Sequence, residues 1–337
     1  MRRRWWPLAV VAVPLAATAL VAASPSGVGP PSAGSTTARA TPAVTASPTT
    51  TTPTSTPTAT AAPTPTGTPA ATRAELPGGG RVLFPGRLLV ALYGHPGARS
   101  LGVLGEQGVA AAVERARAVA KPYRRLTDDP VVPAFEIIAT VAQRSKGSDG
   151  DYSGESSVRS LRPWVKAAGR AGMLVVLDLQ PGRADLLDQA MRYRALLRLP
   201  HVGLAVDPEW KLQRGQRPLE QIGSIDATEI NRTTAWLAAL VRSEGLPQKL
   251  FVVHQFRLSM IGRERLLRVD RPELAVLLHM DGQGGSPQKE ATWDAVRHAR
   301  PAGTRLGWKN FYDEDHPTYR PAATMRRHPR PVMVSYQ

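Results

Sequence analysis

The feature that most constrains the fold of this chain is a regular alternation of short apolar runs with helical patterns through residues 81–337. Eight of these runs are rich in Val, Leu and Ile and have the length of strands, and amphipathic segments separate most of them. Such an alternation is typical of βα units around a parallel sheet. The segment also has the length of a (β/α)₈ barrel, roughly 250 residues. We therefore predict an α/β fold, a (β/α)₈ TIM barrel.

The predicted elements follow one another regularly along the chain. The predicted strands are Leu88–Tyr93, Ala134–Val141, Leu174–Leu179, Val202–Val206, Leu250–Phe256, Leu274–Met280, Arg305–Lys309 and Val332–Tyr336. The predicted helices are Val109–Ala120, Ser157–Ala171, Ala184–Leu197, Ala227–Glu244, Arg263–Arg268, Ala291–Ala299 and Pro321–Arg327. The alternative is an open, doubly wound sheet, but the turn Gly94-His95-Pro96-Gly97 lacks the G-x-G-x-x-G spacing that usually follows its first strand.

The first 80 residues differ in composition from the rest and divide into two segments. Three arginines precede the apolar stretch Trp5–Ala23, which ends in small residues, so residues 1–23 are predicted to be a cleaved signal peptide. An uncleaved membrane anchor is the alternative. Residues 24–80 are predicted to be a disordered Thr/Pro/Ala-rich linker, bare or carrying O-linked sugars, because this composition buries too little apolar surface to fold. The barrel domain is assigned to residues 81–337.

Export sets the expected surroundings and partners of the protein. We expect it to be secreted or associated with the cell surface, with membrane contact only if the N-terminal segment stays uncleaved. The chain has no cysteine, which excludes disulfides, a zinc ribbon, a thiol nucleophile and a lipid anchor on cysteine. Removal of residues 1–23 lowers the net charge from +16 to +13. Nucleic acid is not an expected partner, because only 6% of the residues are aromatic and no run interleaves them with basic residues.

Polar residues recur where the predicted strands end, and this end of a barrel carries function. In Val202–Val206 the bulky first, third and fifth residues suit packing on helices, whereas the small second and fourth residues suit the crowded interior. In the fifth strand, His254 and Gln255 are alternative inward residues. In the other strands, the same alternation points inward Tyr93, His95, Asp178, Asp207, Glu209, His279, Asp281 and Lys309.

The most informative motif is Asp207-Pro208-Glu209-Trp210, at the end of the fourth strand. It resembles the D-x-E ending of strand four in the chitinase-like family 18 and lysozyme-like family 25 glycoside hydrolases. The resemblance implies that Glu209 is the general acid and Asp207 its partner, since glycoside hydrolysis uses two carboxylates. The sequence departs from both families: Val202 and Ala205 replace the first two aspartates of the family 18 motif, and no aspartate ends the first strand as in family 25.

The strand alternation and the D-x-E motif together set the expected function and the roles of the other residues. We expect a secreted enzyme similar to glycoside hydrolases that acts on a cell-envelope or extracellular polysaccharide, without a cofactor. Asp178 and Asp281 would tune the pKa of Glu209 or position water. The export signal, linker and barrel together resemble secreted actinobacterial proteins. The residues expected to contact substrate are Tyr93, His95, Trp210, His254, Gln255, His279 and Lys309.

Two other functions fit the same strand ends. The first is a metal-dependent barrel hydrolase, although the sequence lacks an H-x-H in the first strand and any H-E-x-x-H. The second is a non-catalytic barrel that binds an anionic wall polymer through surface arginines. We expect the acidic run at residues 313–316 to be a solvated loop. The candidate metal ligands of the first alternative are His95, Asp178, Asp207, His279 and Asp281.

Overall fold

Eight parallel strands close into a barrel in the computed structural model, which describes residues 73–337. Each strand pairs with the next, and β1 pairs with both β2 and β8, which closes the sheet and confirms the predicted (β/α)₈ fold. The predicted signal peptide and residues 24–72 of the predicted linker lie outside the described residues. The strands are β1 (Leu88–Gly94), β2 (Val131–Ala142), β3 (Leu174–Leu179), β4 (Val202–Val206), β5 (Lys249–Gln255), β6 (Leu274–Met280), β7 (Arg305–Asn310) and β8 (Met333–Tyr336).

Helices connect most consecutive strands, and four of the predicted helices differ from the structure by more than one residue. The helix predicted at Ala291–Ala299 begins at Ser286, and the helix predicted at Pro321–Arg327 ends at Thr324. The predicted helix Ala184–Leu197 is divided at Tyr193, whose hydroxyl donates to the carbonyl of Ala139 at 2.8 Å. The predicted helix Arg263–Arg268 is wrong, because Arg263 has a left-handed φ of 54° that a right-handed helix cannot contain, and only a short 3₁₀ turn follows it. The helices are α1 (Val109–Ala120), α2 (Val158–Arg170), α3 (Leu186–Arg192), α4 (Arg194–Leu197), α5 (Ala227–Ser243), α6 (Ser286–Ala299) and α7 (Pro321–Thr324).

Alternate residues of the strands pack on opposite sides of the barrel wall. Val202, Leu204 and Val206 of β4 lie in the outer layer with the helices, whereas Ala205 lies in the interior, as the alternation predicts. Apolar side chains fill the lower interior, so the polar residues that follow them along each strand lie at its carboxyl end. The interior residues of this apolar filling include Leu89, Ala91, Ala134, Leu174, Val176, Leu250, Val252, Ala275, Leu277 and Met333.

The chain that precedes β1 packs on the same interior core. Leu76, Leu83 and Phe84 are buried among the interior apolar residues, and the guanidinium of Arg87 donates to the carbonyl of Gly79 at 2.7 Å. The predicted linker ends at residue 80, so its last eight residues, 73–80, belong to the described part. Within residues 73–337, no helix combines the length and the apolar character needed to cross a membrane.

Candidate active site

Nine polar side chains, hereafter the mouth cluster, gather inside the barrel at the carboxyl ends of its strands. Eight of them are at most 6% exposed, and only Glu209 keeps a larger share of its surface open. Glu209 is therefore the member of the cluster that an external molecule reaches first. The mouth cluster consists of Tyr93, Glu136, Asp178, Asp207, Glu209, His254, His279, Asp281 and Lys309.

The imidazole of His254 bridges two carboxylates in the middle of the mouth cluster. Its Nε2 lies 3.1 Å from Oε1 of Glu136, and its Nδ1 lies 3.2 Å from Oδ2 of Asp281. The same Nε2 is 3.9 Å from Oδ1 of Asp178. The His254 ring has no exposed surface, so these carboxylates are its electrostatic surroundings.

The charges of this bridge decide its protonation. Burial alone lowers the pKa of His254, but Glu136, Asp178 and Asp281 raise it well above its ordinary value. Burial raises the pKa of Glu136 and Asp281, yet the charge of His254 and its hydrogen bonds outweigh this effect and hold both values below their usual range. A carboxylate at each ring nitrogen favours the imidazolium form, which donates one N–H to Glu136 and the other to Asp281.

Asp178 is held from the opposite side by Tyr93, as the ends of β1 and β3 come together. The Tyr93 hydroxyl donates to Oδ2 of Asp178 at 2.9 Å. Burial raises the pKa of Asp178, and the charge of Glu136 adds to this effect although His254 opposes it. The ammonium of Lys309, at the end of β7, lies 3.5 Å from the centre of the Tyr93 ring, in cation–π contact. Lys309 thereby places a positive charge among the mouth carboxylates.

Asp207 and Glu209 follow β4, and the pKa values of both carboxyl groups are raised. Pro208 begins a 3₁₀ turn that holds Glu209 in place, and the Glu209 carbonyl accepts the N–H of Gly223 at 2.7 Å. Burial, and then the neighbouring Glu209, raise the pKa of Asp207 well above its ordinary value. Burial and the charge of Asp281 raise the pKa of Glu209 to about 7. Glu209 is therefore a carboxylic acid that can release its proton near neutral pH.

His279 completes the mouth cluster as a neutral ring. Its Nε2 lies 2.7 Å from Oγ of Ser335, and its ring meets that of His254 edge to face, with centres 5.3 Å apart. Burial is the main cause that lowers the pKa of His279 to about 3. The ring fits only because residue 307 is glycine: a methyl group there would lie 2.0 Å from Nδ1 of His279.

We expect Gly307→Ala to lower the free energy of unfolding by roughly 1–3 kcal/mol, because the added methyl group must displace His279 in a packed interior. Urea unfolding followed by circular dichroism measures this change. The control is Gly108→Ala, where no atom lies within 4 Å of the added carbon and the expected loss is below about 1 kcal/mol. Equal losses in the two variants would show that the contact with His279 is not tight.

Three residues predicted to contact substrate lie outside the mouth cluster. His95 is half-buried, and its Nε2 lies 3.0 Å from Oγ of Ser156. Of the two alternatives in β5, His254 is the inward one. Gln255 points to the other side of the strand, where its amide donates to Glu264 at 2.8 Å. Trp210 is half-buried beside Glu209 in the same turn.

Sequence reasoning missed two members of this region, Glu136 and Ser335. Glu136 interrupts the apolar run of β2 and follows Val132 and Ala134 on the inward side, so the alternation was sufficient to find it. Ser335 has the same position in β8, two residues after the interior Met333. Neither Glu136 nor Ser335 is the last residue of its strand. The strands of a barrel are staggered, so residues at different positions along their strands lie at the same height in the interior.

Four of the five residues predicted as ligands in the metal-dependent alternative lie in the mouth cluster, but no three of them have donor atoms within 4.8 Å of one another. Between residues 73 and 337, the one set of three potential ligands that meets this distance is Asp149, Asp151 and Glu155, in the segment that follows β2.

The acidic run after β7 also differs from its prediction, because Asp315 is buried. Its Oδ2 lies 2.8 Å from Nζ of buried Lys289, so this carboxylate is a structural ion-pair partner and not a solvated one.

The chain was also compared with known proteins. No protein-family model matches it, and no curated protein is significantly similar to it.

Proposed function

We propose that the protein is a secreted glycoside hydrolase that acts on a cell-envelope or extracellular polysaccharide, with Glu209 as the proton donor. The observation that supports this function is that two carboxyl groups of one mouth have different surroundings: Glu209 is partly exposed, whereas Oδ2 of Asp281 lies 3.2 Å from Nδ1 of His254. Burial and the charge of Asp281 raise the pKa of Glu209 to about 7, whereas His254 holds the pKa of Asp281 low despite its burial. One protonated and one ionised carboxyl group are what acid-catalysed glycoside cleavage requires.

The proposed reaction starts with Glu209, the accessible acid of the mouth. Its proton passes to the glycosidic oxygen while the bond from this oxygen to the anomeric carbon breaks, and the leaving sugar departs as an alcohol. The positive charge that develops on the sugar ring is stabilised by ionised Asp281. A water molecule adds to the anomeric carbon, and its proton ends on a carboxylate of this pair.

The remaining members of the mouth cluster have supporting roles in this proposal. One carboxylate oxygen each of Asp178, Asp207 and Asp281 is buried without a hydrogen-bond partner among the described residues. Buried polar atoms are rarely left in this state, so sugar hydroxyl or amide groups are suitable partners for them. Trp210, beside Glu209, offers an apolar face for a sugar ring.

The direct test is an activity assay with the purified full chain on a panel of polysaccharides and peptidoglycan. The release of reducing ends is expected for at least one polymer, and it should not decrease when a chelator is added. Loss of activity with a chelator, restored by a divalent ion, would favour the metal-dependent alternative. Binding to cell walls without any release of reducing ends would favour the non-catalytic one.

We expect kcat/KM to decrease above a pH of about 7, because Glu209 must carry its proton when substrate binds. This decrease is the basic limb of the pH profile.

Lys309→Met should move the basic limb to higher pH by roughly half to one unit. The reason is that the Lys309 charge favours ionised Glu209, so that its removal raises the pKa of Glu209 further. The pH dependence of kcat/KM measures the shift, and Lys121→Met, at an exposed position after α1, is the control that should leave the limb in place. A shift to lower pH would contradict the assignment of Glu209.

A further inference from the structure

A concave site lies between the loops that follow β3 and β4, and the second of these loops begins with the turn that carries Glu209. The site has a volume of about 400 Å³, and its polar wall includes Arg183, Lys211, Arg214, Asp226 and Glu229. These residues lie on the carboxyl side of the barrel, because the chain enters both loops from strand ends and leaves them at the start of a helix. The site, hereafter the rim pocket, is therefore on the same face as Glu209.

Backbone hydrogen bonds join the rim pocket to the turn that carries Glu209. The N–H of Gly223 donates to the carbonyl of Glu209 at 2.7 Å, and the N–H of Ser224 donates to that of Lys211 at 3.0 Å. The N–H of Leu212 donates to the carbonyl of Gly182 at 2.8 Å, so the two loops are also fastened to each other. A polymer that reaches Glu209 thus has the rim pocket as a fixed neighbouring site.

The charges of the rim pocket do not cancel. Its two carboxylates already have cationic partners: Glu229 binds Lys211 at 2.7 Å, and Asp226 accepts from Nε of Arg263 at 2.8 Å. Among the described residues, Arg183 and Arg214 form no ion pair. The pocket therefore has two surplus positive charges, each of which carries the planar, forked set of donors that suits a carboxylate or phosphate group.

Arg183 is also held in a fixed position before any ligand arrives. Its guanidinium lies 4.5 Å from the centre of the Tyr152 ring and donates to the carbonyl of Gln216 at 2.6 Å, and its Nε is buried without a protein partner within the described part of the chain. An arginine immobilised in this way loses little side-chain freedom on binding an anion, which increases affinity.

Two residues that position Tyr152 under the Arg183 guanidinium have unusual backbone conformations. Tyr152 has a positive φ of 63°, which is uncommon for a residue with a side chain. Gly182, with a φ of 58°, lies so close to residues 151–152 that a methyl group there would be 2.2 Å from the carbonyl oxygen of Asp151. Such conformations tend to occur at functional sites, and here they bring Tyr152 under the guanidinium.

We propose that the rim pocket binds an anionic group, a carboxylate or phosphate, of the same polysaccharide chain whose glycosidic bond Glu209 protonates. The substrate is then an acidic polysaccharide. This inference rests on the proposed function for its account of turnover, but the binding of an acidic polymer at the rim pocket is a separate property that can be measured without hydrolysis.

The test measures binding by isothermal titration calorimetry with the full chain carrying Glu209→Gln, so that no probe is cleaved. The carboxylate probes are oligogalacturonate and its neutral methyl ester, and the phosphate probes are phosphorylated dextran and neutral dextran. At least one acidic probe should bind about tenfold or more tightly than its neutral counterpart, and the difference should decrease at high salt. The acidic probe that is preferred identifies the kind of anionic group.

Matched charge variants locate the binding site. Arg183→Gln with Arg214→Gln should abolish the preference for the acidic probe. Arg124→Gln with Arg125→Gln removes the same charge from an exposed segment after α1 and should retain the preference. Arg183→Lys should bind with intermediate affinity, because it keeps the charge but loses the forked donors and the stacking on Tyr152.

The outcomes separate this inference from the proposed function. Equal affinity for acidic and neutral probes, or equal losses in the two double variants, would overturn the binding of an acidic polymer at the rim pocket, whatever the activity assay shows. Selective loss in the Arg183 and Arg214 variant supports it, even if the chain with intact Glu209 releases no reducing ends and the proposed hydrolysis fails.

Discussion

For the proposed hydrolysis of a polysaccharide, Glu209→Gln should lower kcat by about 10²- to 10⁴-fold, the usual contribution of a general acid. The amide keeps the size and polarity of the side chain but has no proton to give to the leaving oxygen. The decrease should appear in kcat more than in KM, because the proton is transferred in the transition state. Activity above one tenth of the unmodified protein would refute the role of Glu209.

The same substitution should not weaken the fold, and this separates a catalytic role from a structural one. The folded-state pKa of Glu209 is raised to about 7, so the stability that this group contributes is complete at pH 4 and is lost as the pH increases through 7. The neutral amide avoids this loss, and Glu209→Gln should be more stable than the unmodified protein at pH 8, by roughly 1 kcal/mol or about 2–4 °C in Tm. Glu220→Gln, at an exposed position of the loop after β4, should change neither activity nor Tm.

The fold was largely predictable because each barrel strand is buried on both sides and is bounded by polar residues. β3, β4 and β6 begin and end at the predicted residues, and α1 does so as well. The connection between β5 and β6 was not predictable from periodicity. It contains Arg263 in a left-handed conformation, and its short parallel pairing of Ile261–Gly262 with Ile225–Asp226 joins segments far apart in the sequence.

The candidate site was predictable to the extent that the alternation of a strand determines which side chains meet. That rule correctly placed Asp207 and Asp178 inside the barrel. It could not choose between His254 and Gln255, because the fifth apolar run fits both registers, and a shift of one residue reverses every side chain. The choice is made by Glu136 and Asp281, which face His254 from other strands and compensate a buried charge there.

Removal of the imidazole that bridges Glu136 and Asp281 should strongly destabilise the fold. We expect His254→Gln to lower the free energy of unfolding by about 3–5 kcal/mol at pH 6, because Glu136 and Asp281 lose the cation that compensates their burial. Urea unfolding measures the loss. His298→Gln, at an exposed position in α6, is the control and should change the free energy by less than about 0.5 kcal/mol.

The pH dependence of this loss distinguishes the charge of His254 from its packing. The lowered pKa values of Glu136 and Asp281 contribute stability above about pH 4.5, and this contribution is lost as the pH falls through their folded-state values. The stability that follows from the raised pKa of His254 is complete below about pH 6.5. It is lost as the pH rises through the folded-state pKa of His254. The two contributions are complete together near pH 6. The destabilisation by His254→Gln should be smaller at pH 4, where the unpaired carboxyl groups of the variant take up protons.

A double variant tests the same point. Adding Glu136→Gln to the His254→Gln variant should recover roughly 1–3 kcal/mol at pH 6, since one buried negative charge is removed. A loss that is the same at both pH values, and additive in the double variant, would mean that His254 contributes only by filling space.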